Sequence, residues 1–277
     1  MSLSFFLPLS SYPDPTPKGS LLHAFDMAAT LGGEVTALAH EVDIGEVHNV
    51  LGDALVNVSG MIAAAEARSH TTAQSLIDEV NHLANRFQIG LTVRSARTRP
   101  EAAAGFFAAQ ARTFDCSLLM PTASSDDQTA IAEAVLFGSG GPAWLFPDGE
   151  VTLHLASAAI AWDGGRAAAR AVRDALPVLL VAKQVTILCA TDDKTVEPAS
   201  VGALQDYLRH HGIAAEVQLF NRSERPIGEA LQQVAIERGA GLLVMGAYGH
   251  SRIREFVLGG ATKSVLATRR LPIFMSH

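Results

Sequence analysis

The chain predicts an α/β protein built as two tandem domains, each a five-stranded parallel sheet with helices on both faces. Three observations lead there. Apolar runs of strand length alternate strictly with segments of helical periodicity. The same order is read twice along 277 residues, a length that suits two domains of about 140. Two pairs of short segments also line up between the halves. Leu118-Leu-Met-Pro121 matches Leu243-Val-Met-Gly246, and Gly141-Pro-Ala-Trp-Leu-Phe146 matches Leu271-Pro-Ile-Phe-Met275. The expected domains are 1–148 and 151–277, joined at the turn-rich Pro147-Asp-Gly-Glu150.

In the first half, strand Leu3–Pro8 leads to helix Gly19–Leu31 and strand Glu34–Glu41. A long helix over Gly60–Phe87 follows, then strand Gly90–Ala96, helix Pro100–Phe114 and strand Cys116–Met120. A short helix, Thr129–Phe137, and strand Ala143–Phe146 complete the half. Between Val42 and Ser59 lies an irregular segment with no counterpart in the second half. It reads as a surface excursion over the sheet, with a lid or partner contact as the functional alternative.

In the second half, Leu155–Trp162 is an apolar strand. Gly165–Ala182 spaces Ala168, Val172, Ala175, Leu176 and Leu179 for a helix, and Pro177 predicts a kink. Strand Gln184–Ala190, helix Pro198–His211, strand Ala214–Phe220 and helix Pro226–Arg238 follow. Then come strand Gly241–Met245, a glycine-rich loop, helix Ala261–Thr268 and strand Pro272–Met275. Strict alternation of this kind predicts a parallel sheet covered on both faces.

Composition narrows the class. Hydrophobic residues make up 48% and charged residues 18%, which indicates a well-cored protein. The longest apolar runs fall far short of the roughly 18 residues a membrane helix needs. The start, Met1-Ser-Leu-Ser-Phe-Phe-Leu-Pro8, reads as a first strand and not as a signal peptide. Two cysteines, Cys116 and Cys189, are too few for a disulfide framework and fit a reducing cytoplasm. Residues 1–150 carry 7 Lys/Arg against 17 Asp/Glu, whereas 151–277 carry 14 against 11. The acidic half argues against nucleic-acid contact, and the mildly basic half suits one small anionic ligand.

Chemistry concentrates in 246–262. Gly246-Ala-Tyr-Gly249 ends a short buried strand, nine residues follow, and Gly259-Gly260-Ala261-Thr262 opens the next helix. Glycine lets the backbone turn and approach a ligand with no Cβ in the way. A helix start adds amides that lack partners within the helix. Together these features describe a phosphate cradle.

The loop resembles the G-x2-G-x9-G-(S/T) signature of the universal stress protein family, with Gly246, Gly249 and Gly259 matching in type and spacing. The element order extends the likeness to the whole chain, which looks like a tandem-domain member. That resemblance implies two Rossmann-like domains of the adenine nucleotide alpha hydrolase type. It also implies ATP held by the second domain alone, with magnesium or manganese accompanying it. By position, the adenine would meet Ala161, Trp162 and Asp163 at the first strand end and Ala190 at the second. Met245, Gly246, Tyr248, Gly249, Gly259, Gly260, Ala261 and Thr262 would supply the rest. All lie at carboxyl ends of parallel strands, where open α/β sheets hold ligands. One departure is Gly260, which stands where the family has Ser or Thr. The lost hydroxyl would cost roughly 1.5–3 kcal/mol of phosphate binding, and Thr262, His250, Ser251 and Arg252 are the substitute donors within reach in sequence.

The first-half counterpart, Met120-Pro-Thr-Ala-Ser-Ser-Asp-Asp127, has lost the pattern. Pro121 removes an amide, two aspartates repel phosphate, and Pro13 and Pro15 crowd the first strand end. Gly138-Ser-Gly-Gly141 reads as a turn into the last strand, and this half is expected to bind no ATP. His40, His70, His82, His210 and His211 do not recur at metal spacing. No Walker pattern and no G-x-S-x-G elbow occurs. The expected function is a cytoplasmic stress-response protein that binds adenine nucleotide in its second half and works through partners. Catalysis is at most a weak ATPase, because no paired general acid and base accompanies the loop. The alternative is a scaffold or dimerisation module that binds no nucleotide. The apolar last strands suit either an intramolecular pseudo-dimer of the halves or a homodimer.

Overall fold

A computed structural model describes residues 2–45, 57–147, 154–193, 196–247 and 260–277. Two compact units emerge, Met1–Ser139 and Gly140–His277. The predicted alternation of strands and helices is present in both.

The first unit contains β1 (Ser4–Ser10), α1 (Lys18–Thr30), β2 (Glu34–Val42) and α2 (Val58–Phe87). They are followed by β3 (Leu91–Thr98), a 3-10 turn (Pro100–Ala102), α3 (Ala103–Ala111), β4 (Cys116–Leu119) and α4 (Asp126–Gly138). Its strands are ordered β3-β2-β1-β4, and the pairs β2–β3, β1–β2 and β1–β4 are parallel. Every residue of β1 from Phe5 to Ser10 is buried, as expected for a central strand covered on both faces. α2 buries Ala73, Leu76, Val80 and Leu83, a stripe at three- and four-residue spacing. Its start is capped by Asn57, whose side chain accepts from the Gly60 amide. Residues 46–56 of the predicted excursion lie outside the described residues.

The second unit begins with β5 (Ala143–Leu145) and β6 (Ser157–Ala161), then α5 (Arg166–Asp174), α6 (Leu176–Leu179) and β7 (Gln184–Ala190). α7 (Pro198–His210), β8 (Ala215–Phe220), α8 (Ile227–Glu237), β9 (Leu242–Gly246), α9 (Gly260–Ala267) and β10 (Ile273–Ser276) complete it. Its order is β5-β10-β9-β6-β7-β8. Five strands run parallel. β5 joins them antiparallel, with Ile273 opposite Leu145 and Met275 opposite Ala143. The apolar last strand of each half thus meets its counterpart, and Trp144 is buried between Phe146 and Phe274.

Local physics moves some predicted boundaries. The helix expected over Gly165–Ala182 breaks at Ala175 into α5 and α6. Pro177 cannot donate to the carbonyl of Arg173 and its ring crowds that turn, so the helix stops before it. The helix expected from Thr129 begins at Asp126, because Ser125 accepts from the Gln128 amide and two aspartates occupy the first turn. The helix expected from Pro100 starts as a 3-10 turn.

One buried histidine carries a pH consequence. His40 on β2 is 2% exposed, bonds Thr98 Oγ1 through Nε2 at 2.7 Å and meets the Phe107 ring edge-on. Burial lowers its pKa below the ordinary 6.5, against the upward pull of Thr98 and Glu41. The unfolded chain therefore takes up a proton that the folded state refuses. This contribution to stability is complete above pH 6.5 and is lost as the pH falls toward the folded value. Denaturant titrations at pH 7.5 and 5.5 are expected to show a drop of up to about 1.4 kcal/mol per pH unit from this proton. His40→Gln is expected to flatten that slope, and an unchanged slope would assign the acid sensitivity elsewhere.

Candidate functional site

The second unit gathers a site at the carboxyl ends of β6, β7 and β9. β6 is prolonged past Ala161 by one ladder bond, Trp162 N to Leu188 O at 3.0 Å. The Trp162 indole then donates through Nε1 to Ser200 Oγ of α7 at 3.1 Å, which fixes the ring. Asp163 turns the chain into α5 by accepting from the Gly165 amide at 2.9 Å. Gly164 makes that turn with φ +71°, a conformation that disfavours a side chain.

The end of β9 is set by a close backbone contact. A Cβ on Gly246 would fall 2.5 Å from the carbonyl carbon of Ala167 and the amide of Ala168. The strand end and the first turn of α5 touch main chain to main chain, so Gly246 is demanded by packing before any ligand is considered. A second close contact draws α8 to α9, since a Cβ on Gly228 would meet the Ala261 carbonyl oxygen at 2.7 Å. Gln232, fully buried, locks the same elements. Its amide donates to Thr268 O at 2.9 Å and Gly228 O at 3.3 Å, while its oxygen accepts from the Arg270 amide at 2.7 Å.

These contacts enclose a cleft of about 590 Å3, open to solvent. Of the residues predicted from sequence, it brings together Ala161, Trp162, Asp163, Ala190, Met245, Gly246 and Ala261. Gly260 is exposed at the start of α9 and Thr262 is buried; neither lines the wall. Tyr248, Gly249 and Gly259, with His250, Ser251 and Arg252, lie outside the described residues. Sequence reasoning missed Ala167, Ala168, Leu188 and Val196, Ile227 with Leu231 from α8, and Asp193 beyond β7. Ile227 and Leu231 stand four apart on a predicted helix, a signal of a buried face that does not say what it buries against.

The lining is mostly apolar, with the indole of Trp162 and two carboxylates as its polar features. Cys189, next to Ala190, is buried, and burial raises its thiol pKa, the condition of an inert cysteine. Among the described residues, no group of three or more His, Cys, Asp or Glu is placed to hold a metal ion. None of the described helices is long and apolar enough to cross a membrane.

The corresponding place in the first unit is smaller, about 310 Å3, and Gln128 is among the residues that line it. Gln128, in the first turn of α4, donates to Asp14 O at 3.0 Å and Pro15 O at 2.7 Å, and accepts from the Thr122 amide at 3.1 Å. It bridges the two loops between which a ligand would lie. Thr16 and Ser10 close the first loop further, each amide bonded to the other residue at 2.9 Å.

No protein-family model matches the chain. A 76-residue stretch, 27% of the chain, is 37% identical to universal stress protein Slr1230 of Synechocystis. The chain spans only about a quarter (25%) of that curated relative's length. Likeness of fold runs much further. A universal stress protein structure from Archaeoglobus fulgidus superposes with TM-score 0.71 at 16% identity, over 99% of this chain and 97% of that one. A putative universal stress protein from Pseudomonas aeruginosa gives TM-score 0.56 at 14% identity, over 99% and 93%. The fold is the doubly wound α/β fold of universal stress proteins. Together these likenesses support a UspA-like family for the chain.

The contact at Gly246 is directly testable. Gly246→Ala is expected to force α5 away from β9, at a cost of about 1–3 kcal/mol as for an overpacked core site. Denaturant unfolding of the variant measures it, and wild-type stability would show that the helix moves freely.

Proposed function

We propose that the second unit binds an adenine nucleotide, ATP in the first instance, in the cleft between β6, β7 and β9, as part of a stress-response role exercised through partners. The observation that carries this reading is the contrast between the halves: the second unit's cleft is the larger, and Gln128 hydrogen-bonds across its counterpart. Apolar walls from Leu188, Met245 and Ile227 with the Trp162 indole suit a purine base. The start of α9 beside Gly246 suits phosphate, whose charge helix amides favour. A magnesium or manganese ion would travel with the phosphates, taking oxygen ligands from them. A cytoplasmic setting fits two buried free thiols.

A second reading is a scaffold of the same fold that binds no nucleotide, with a second copy of the chain among its partners. Two observations favour it. Gly246 is required by the α5 contact whether or not a ligand binds, and Gly260 offers no hydroxyl.

Denaturing freshly purified protein and assaying the supernatant for adenine nucleotide separates the two. Release of about one nucleotide per chain is expected. Gly249→Val is expected to weaken ATP binding at least tenfold, about 1.4 kcal/mol, whereas Gln128→Ala in the first unit is expected to leave it unchanged. No released nucleotide and no binding in titration would establish the scaffold reading.

A further inference from the structure

Resting on the nucleotide reading, we propose that Asp193 reads the ribose of the bound nucleotide and makes the site selective for ribonucleotides over 2′-deoxyribonucleotides. Among the described residues, Asp163 and Asp193 are the only charged side chains lining the cleft, so its ionic chemistry is all acceptor. Asp163 has committed an oxygen to the Gly165 amide. Asp192, next in sequence, is committed too, accepting from the Arg222 amide at 2.9 Å and the Ser223 amide at 3.3 Å. Asp193 is exposed and has no hydrogen bond or ion pair with any described residue. Asp193 lines the cleft, so a ligand group that meets its carboxylate must donate.

Strand order decides which part of the ligand that is. β7 and β9 flank β6, so the end of β7 lies two strand spacings, about 10 Å, from the amides at Gly246. A nucleotide with its phosphates at β9 and α9 reaches β7 with its nucleoside part. Carboxylates there repel the phosphates and reinforce that direction. The apolar wall takes the base, and the cis-diol of ribose presents two O–H donors, which one carboxylate accepts together. The same chemistry places an acid beyond a second strand on the ribose 2′-hydroxyl in dinucleotide folds.

The test titrates the full chain with ATP, 2′-deoxyATP and inosine triphosphate, following Trp162 fluorescence and confirming by calorimetry. The wild type is expected to bind ATP about tenfold more tightly than 2′-deoxyATP, and Asp193→Ala to erase that preference. The ratio is the diagnostic quantity, because removing a negative charge also strengthens binding of any triphosphate. Asp193→Asn, which keeps the shape, is expected to lose most of the discrimination. Equal wild-type binding of ATP and 2′-deoxyATP, or a ratio unchanged in Asp193→Ala, overturns the proposal while leaving nucleotide binding intact. A change confined to discrimination against inosine triphosphate overturns it in favour of contact with the base. Binding of none of the three overturns this proposal and the nucleotide reading together.

Discussion

The contact between Gly246 and the first turn of α5 is the constraint on which the second unit's site depends. Backbone meets backbone there, with no room for a Cβ, so the strand end and the helix start are set at one separation. Ala167, Ala168 and Met245 reach the same cleft wall because of it. Gly228 repeats the device between α8 and α9, and Gln232 makes it directional through hydrogen bonds to three main-chain groups. Main-chain contacts of this kind resist deformation better than side-chain packing, since no rotamer can relieve them. The described walls of the site are therefore set by the scaffold.

The two units show how one architecture reaches opposite outcomes. Both carry a strand, a turn and a helix at the same point of the fold. In the second unit, Asp163, Gly164 and Gly165 make a tight turn that leaves the space above the sheet open. In the first, residues 11–17 form a longer path held by Ser10 and Thr16, and Gln128 donates to its Asp14 and Pro15 carbonyls from the first turn of α4. Gln128 thereby pairs main-chain groups of the first loop within the chain.

Much of this was legible in the sequence where the signal is local. β7 was read to the residue from its apolar run, and α8 to within one residue from its periodicity. Ala161, Trp162, Asp163, Ala190, Met245 and Gly246, expected from their place at the carboxyl ends of parallel strands, line one cleft. What escaped depends on contacts distant in sequence. Pro177 announced the kink locally, but not that the break would fall at Ala175. The antiparallel choice of β5 is set by which edge stands opposite. Gly228 looked like any helical glycine until α9 was seen against it, and Gln128 carries no motif at all. Pro121 and the proline-rich first loop marked the first half as different from the second, but not the side chain that bonds across it.

Gln128 also has a thermodynamic implication. On the reading in which the first unit holds no nucleotide, Gln128 bonding its loop from within, that unit's free energy is independent of ligand supply. Under the nucleotide reading, only the second unit exchanges stability with the concentration of a metabolite. One half then serves as a constant reference, and the other varies with the chemical state of its surroundings.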